Sequence, residues 1–199
     1  MNNDVDNDHA LRVEKALAVV QEFTRTHRID YFKPNSDQRG FYNCGCENMV
    51  REFKDPDRKR RIQTLAVEVA FHLTGVYPDW WPGKRLSRPA EVLCMGVSDQ
   101  LLRDNLVNEL FGSYEGRGKF GGNGLIRQDQ VYQVKPSRVL IRLPHSVVVR
   151  YKTGDSSKIF FQPIAKDASD SDLLWIDDEA AGSAELLFQH DLQEACDNL

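Results

Sequence analysis

The run Ala90-Glu-Val-Leu-Cys-Met-Gly96 decides the fold class. It is short, apolar and closed by glycine, which reads as a buried strand. Upstream, Ile62, Leu65, Ala66, Val69, Ala70 and Leu73 share one helix face, and Gly75 is placed to cap that helix. Downstream, Ser98 is placed to cap a helix that carries Leu101, Leu102, Leu106 and Leu110. Helix, strand and helix in succession predict an α/β domain.

Working outward from that centre, apolar residues recur at Leu11, Ala16, Leu17, Val20 and Phe23, predicting a helix from Asp8 to His27. It follows a polar leader, residues 1–7, expected to be disordered. Pro34-Asn-Ser-Asp37 supplies turn and cap chemistry for a second helix from about Ser36 through Phe53, against which Gly40 and Gly45 count. Beyond a Gly-rich loop, Gly112 to Gly124, β-branched residues cluster at Val139 to Leu143, Val147 to Tyr151 and Lys158 to Gln162, with a hairpin loop at Thr153 to Ser157. A last strand, Leu173 to Ile176, and a closing helix from about Ser183 to Asp197 complete the reading. Residues 8–199 are expected to form a single domain.

The chain has 199 residues and a formal net charge of −4, so contact with nucleic acid must come from a local patch rather than from overall charge. No apolar run approaches the roughly 20 residues that cross a bilayer. The start Met1-Asn2-Asn3-Asp4 lacks the features of a signal peptide, and the expected location is the cytoplasm. Cys44, Cys46, Cys94 and Cys196 form no pair of CxxC elements, and free thiols without zinc are expected. The histidines are equally dispersed.

Leu173-Leu-Trp-Ile-Asp-Asp-Glu179 is the most chemically suggestive stretch, because an apolar strand ending in acids is how ATPases hold Mg²⁺ and orient water. Asp177 would bind the metal, and Asp178 or Glu179 would polarise water; a strand ending in a solvated acidic turn fits the same spacing. No GxxxxGK[ST] phosphate loop is present. Gly116-Arg-Gly-Lys-Phe-Gly121 satisfies GxGxxG but follows a predicted helix rather than a strand, so it reads as a surface loop. Arg58-Lys59-Arg60-Arg61 offers a DNA contact, diluted by Glu52, Asp55 and Asp57. From Asp167 onward acids dominate, which suits a partner-binding surface or solubility alone. Tyr77-Pro-Asp-Trp-Trp-Pro82 is a rigid aromatic turn that either stacks on bases or plugs the core edge.

One long stretch, His72-Leu-Thr-Gly-Val-Tyr-Pro-Asp-Trp-Trp-Pro-Gly-Lys-Arg-Leu86, resembles the segment that follows the phosphate loop in a group of phage large terminase subunits. The resemblance continues through Pro89, Gly96-Val-Ser98, Arg103-Asp104 and Glu109-Leu-Phe-Gly112, and Gly122-Asn-Gly-Leu-Ile126 is similar to the family's Gly-Thr-Gly-x-Ile element. It covers about Asp30 to Ala180. It implies a P-loop NTPase-like sheet of the ASCE type flanked by helices, with an N-terminal helical segment. It also implies that Gln38, within Tyr31-Phe-Lys-Pro-Asn-Ser-Asp-Gln-Arg-Gly-Phe41, reads the adenine edge, and that Leu173 to Glu179 is the Walker B counterpart. Val149 to Gly154 and Lys158 to Phe161 resemble the hairpin before that strand.

Where these terminases carry Gly-Lys-Thr or Gly-Lys-Ser, this chain has Arg60-Arg-Ile-Gln-Thr64. Thr64 keeps the hydroxyl that would join Asp177 on Mg²⁺, Gln63 lacks the lysine's charge, and Ile62 is bulky where backbone must approach phosphate. Arg60 and Arg61 are the candidates to compensate. ATP and Mg²⁺ are the implied cofactors, weakened or lost, and a single ATPase-like domain without the nuclease half of a terminase is the expectation. Two functions follow as expectations. One is a degenerate packaging-ATPase domain from a phage, prophage or satellite; the other is a non-enzymatic interaction protein that inhibits a rival packaging motor or a host defence nuclease complex in the bacterial cell.

Overall fold

The computed structural model describes residues 3–44, 50–96, 100, 102–116, 118–137, 143–163, 173–178 and 183–188. Helix α1 (Asn3–Thr26) comes first, followed by α2 (Ser36–Asn43), strand β1 (Val50–Lys54) and α3 (Arg58–Thr74). Strand β2 (Glu91–Gly96) leads to a π-helical segment (Leu102–Val107) that runs into the short α4 (Asn108–Phe111). A small hairpin, β3 (Tyr114–Gly116) and β4 (Lys119–Phe120), precedes β5 (Val131–Pro136), β6 (Pro144–Arg150), β7 (Ser156–Pro163), β8 (Leu173–Asp178) and β9 (Ser183–Phe188).

Seven strands form one mixed sheet in the order β1-β9-β8-β2-β7-β6-β5. Strand β2 lies between β8 and β7 and is parallel to both, so the predicted Ala90 and Leu173 strands are direct neighbours. Its residues Val92, Leu93, Cys94 and Met95 are all buried, as a strand covered on both faces requires. Strand β9 runs antiparallel to both β8 and β1. Consequently β1, β8, β2 and β7 point the same way, and their carboxyl ends share one edge of the sheet.

Helix α3 packs against this sheet and is buried almost all round from Arg61 to Thr74. Gly75 caps it at φ 68, and a Cβ there would meet the Tyr151 ring at 2.3 Å, so both backbone and packing demand glycine. The aromatic turn plugs the core: Trp81 is buried, with its ring centroid 4.9 Å from Tyr42 and 5.1 Å from Phe71, and its indole N–H donates to the Lys84 carbonyl.

Several expectations are corrected. The second helix stops at Asn43, and residues 50–53, expected as its continuation, belong to β1, where Arg51 and Phe53 are buried while Glu52 and Lys54 face out. That alternation is the period of a strand. The closing helix expected from Ser183 is replaced over Ser183–Phe188 by β9, because pairing on both sides overrides the helix preference of Ala184, Glu185, Leu186 and Leu187. The Gly-rich loop contains the β3–β4 hairpin, and β5 was not anticipated. Helix α1 begins at Asn3 rather than near Asp8, and α3 begins at Arg58 rather than after the basic run. Ser98, Leu101, residues 139–142, Glu179, Cys46 and Cys196 lie outside the described residues.

Candidate functional site

The connection from β1 to α3 is short. Strand β1 ends at Lys54 and α3 starts at Arg58, leaving Asp55, Pro56 and Asp57 between them. The Asp57 carboxylate caps the helix, accepting from the backbone N–H of Lys59 at 2.9 Å and more weakly from that of Arg60 at 3.4 Å. Asp55 is buried; its carboxylate accepts from the Asp57 N–H at 2.7 Å and from the Arg60 guanidinium at 3.0 Å, and its carbonyl accepts from the Arg61 guanidinium. A helix N-terminus attracts anions through its free N–H groups and its dipole. Here two of those groups are already directed at the protein's own carboxylate.

Arg60 to Thr64 all lie within α3 rather than in a loop. Thr64 is fully buried, and its hydroxyl donates to the Arg60 carbonyl at 2.7 Å, closing back on its own helix. Gln38 reaches it from α2: the side-chain amide donates to the Thr64 hydroxyl at 2.9 Å, while the amide oxygen accepts from the Asn35 N–H at 3.0 Å. The Asn35 side chain accepts from the Gln38 N–H in return, a capping box that starts α2. One turn later Tyr42 donates to the Thr64 carbonyl at 2.9 Å. Gln38 and Tyr42, four residues apart, thus hold α2 on α3 at a single residue.

The acids of β8 stand at the same sheet edge as the start of α3. Asp177 is in register with Gly96 of β2 on one side and with Ala184 of β9 on the other, and Ala184 is in register with Phe53 of β1. Asp178 and Lys54 both face Ser183 in the same way. Two strand spacings separate β8 from β1, roughly 10 Å. The backbone therefore brings Asp177, Asp178 and the Asp55–Asp57 turn to one edge, the arrangement that an acidic strand and a helix N-terminus need in order to act on one ligand.

The four basic residues at the start of α3 diverge. Arg61 is buried and donates to the Asp55 carbonyl, so it is not available to a phosphate backbone, which corrects the expectation of one continuous basic contact. Arg60 is held by Asp55 and Asp57. Arg58 and Lys59 instead line a cleft of about 570 Å³, with Arg28 and with Asn105, Asn108 and Asn123. Arg28 is tied to Glu109 at 2.5 Å and to the Asn123 carbonyl. The Asn105 amide nitrogen is shielded from solvent without a hydrogen-bond partner among the described residues. This cleft escaped sequence reading; its only local signal was the i, i+3 spacing of Asn105 and Asn108.

A second buried polar group was equally invisible in sequence. Arg51 of β1 makes a two-pronged ion pair with Glu68 of α3, with the Arg51 Nη1 to Glu68 Oε2 bond at 2.9 Å, and both side chains are sealed from solvent. The His72 ring lies 3.4 Å from Glu68 on one side and 2.9 Å from the Tyr77 hydroxyl on the other. Burial pushes the Glu68 carboxyl up, but Arg51 and His72 outweigh it and hold the group below its ordinary range. Its place between the sheet and the far side of α3 makes it a structural joint.

Comparison with known proteins gives one direction. The large terminase subunit of Salmonella phage P22 is 25% identical over 181 residues, covering 82% of this chain and 36% of that protein. The chain thus spans about a third of the length of the relative it matches. No family model matches the chain, and no solved structure matches it. No described helix is long and apolar enough to cross a membrane. The chain is an α/β protein with a distant likeness to a phage terminase large subunit.

Proposed function

We propose that this chain is a terminase-like ATPase-domain protein of the viral DNA-packaging lineage whose nucleotide site has become a structural joint. The reading rests on the likeness to a terminase large subunit and on the shared edge of β1, β2 and β8, where an ATPase of this type would bind nucleotide. One observation carries the loss of activity. The groups that would serve a nucleotide are satisfied by one another: Asp57 caps the N–H groups where phosphate would dock, and Gln38 holds the Thr64 hydroxyl that would reach Mg²⁺.

The residues present do not fit ATP with Mg²⁺. A turn of three residues is too short to wrap phosphates in the manner of a GxxxxGK[ST] loop, and Asp55 and Asp57 place negative charge where the ligand is most negative. Gln63 supplies no charge. Asp177 and Asp178 stand at the end of β8, and Glu179 follows in the sequence, without the cationic loop that would give them a substrate. A phosphate-release assay on the chain with Mg·ATP tests this: no turnover is expected, and turnover abolished by Asp177→Asn would overturn it.

A non-catalytic protein of this lineage acts through its surface. Such a protein would engage a component of a packaging motor or of a host defence complex, and the exposed stretch Leu11–Arg25 of α1 favours this second reading.

A further inference from the structure

The cleft of about 570 Å³ beside the first turn of α3 is built from distant parts of the chain: Arg28, the start of α3, the π-helical segment with α4, and Asn123. Its walls are fixed by bonds of their own. Arg28 ties Glu109 to the Asn123 carbonyl, and Leu125 and Ile126 donate to the Glu109 and Leu110 carbonyls at 2.9 and 2.7 Å. A preformed cleft suits a ligand, since little ordering is left for binding to impose.

Two features of one wall are not explained by folding. Leu102–Val107 is a π-helix, a conformation that is rare and concentrates at functional sites. Within it, the Asn105 amide nitrogen has no hydrogen-bond acceptor among the described residues, although buried donors are as a rule satisfied. Three residues on, Asn108 donates its amide nitrogen to the Asp104 carbonyl at 3.2 Å, so its amide oxygen is the end that can accept. The wall thus carries a donor and an acceptor close together, the pair that the C=O and N–H of an extended peptide require.

Charge selects the rest of the ligand. Among the lining residues Arg28, Arg58 and Lys59 are cationic and Asp104 and Glu109 anionic, an excess of one positive charge. A single carboxylate balances it, and Ile62 supplies apolar surface for the methylenes that carry that group. A nucleic acid fits less well. Its phosphates would pass the two acids with several negative charges, and no aromatic ring among the described lining residues offers its bases a stacking surface.

We infer that this cleft binds an extended acidic segment of a partner protein, with a carboxylate held by Arg58 and Lys59 and the backbone held by Asn105 and Asn108. Seating the peptide requires the Asn105 side chain to turn towards it, a rotamer change of the kind common at interfaces. The inference names the partner chemistry of the second reading above and rests on it.

Fluorescence anisotropy on the whole chain, with a labelled octapeptide alternating serine and glutamate, tests it. Saturable binding with a Kd below about 1 mM is expected, and the same peptide with glutamine for glutamate should bind at least about tenfold more weakly. Lys59 is exposed, so Lys59→Glu leaves packing untouched and should weaken binding at least about tenfold. Asn105→Leu should weaken it about threefold or more, with melting curves checking that each variant is folded. No binding at millimolar peptide, equal binding of the glutamine peptide, or folded variants that bind like the unaltered chain would each overturn the inference. Tighter binding of a single-stranded oligodeoxynucleotide of equal charge would overturn it too, by making the cleft a phosphate site. Peptide binding by a chain that also turns over ATP would uphold the cleft and refute the non-catalytic reading, whereas absence of both would refute the cleft alone.

Discussion

The Gln38 side-chain amide donates to the Thr64 hydroxyl at 2.9 Å, and both groups are buried. Two residues that sequence reading assigned to a nucleotide, one to its base and one to its metal, are bonded to each other across the α2–α3 interface. Replacing Thr64 by valine strands the Gln38 donor in a dry contact, at a cost of about 1–3 kcal/mol. Urea unfolding of Thr64→Val, Gln38→Ala and the double variant should show coupling of at least about 0.5 kcal/mol. Additive effects would mean that the bond contributes nothing to the joint.

Asp57 caps a helix that is otherwise almost wholly buried. Asp57→Ala should lower stability by about 1 kcal/mol, whereas Asp57→Ser or Asp57→Asn, which keep an acceptor, should lose much less. Equal losses for all three, read from denaturant midpoints, would count against a capping role.

The Arg51–Glu68 pair makes a prediction about pH. Since the folded carboxyl titrates below its ordinary value near 4.5, its stabilising contribution is complete above that value and disappears as the pH falls through the folded value. Removing one partner alone should cost about 3–5 kcal/mol, because the other charge is left buried and unpaired. Arg51→Met with Glu68→Leu should cost less than the sum, and its stability should fall less steeply than that of the unaltered chain below pH 4.5. Parallel acid-unfolding curves for the two proteins would contradict this.

Gly124 sits where two backbones cross. A Cβ there would lie 2.4 Å from the Phe111 carbonyl carbon and 2.5 Å from the Gly112 nitrogen, both main-chain atoms with little room to yield. Leu125 and Ile126 follow, donating to the Glu109 and Leu110 carbonyls. Gly124→Ala should therefore cost about 1–3 kcal/mol or more through strain, while Gly122→Ala, though strained at φ 70, meets no atom within 4 Å. A thermal melt that ranks Gly122→Ala as the more damaging would contradict the crossing.

The elements legible in sequence are those whose signal is local. The face of α3, the Gly75 cap, the apolar run of β2 and the β6–β7 hairpin each announce themselves within a few residues. Strand β1 was hidden because one of its buried residues is the arginine Arg51, whose burial makes sense only once Glu68 is opposite it. Strand β9 was hidden because Ala184, Glu185, Leu186 and Leu187 are good helix formers whose strand state depends on neighbours on both sides. At the candidate site, letters misled: Thr64 matches the last position of a phosphate loop, but the three-residue connection before Arg58 puts it in the second turn of a helix. Connection length is a property of the fold, and sequence alone leaves it open.

The central claim is that the nucleotide-binding groups are consumed by the structure. Thermal unfolding of the whole chain with and without millimolar Mg·ATP tests it most directly, since a ligand at one hundred times its Kd would add about 2.7 kcal/mol of stability. Superimposable melts are expected, for the chain and for Asp177→Asn alike. A saturable upward shift that Asp177→Asn removes would contradict it and restore the chain to the ranks of working ATPases.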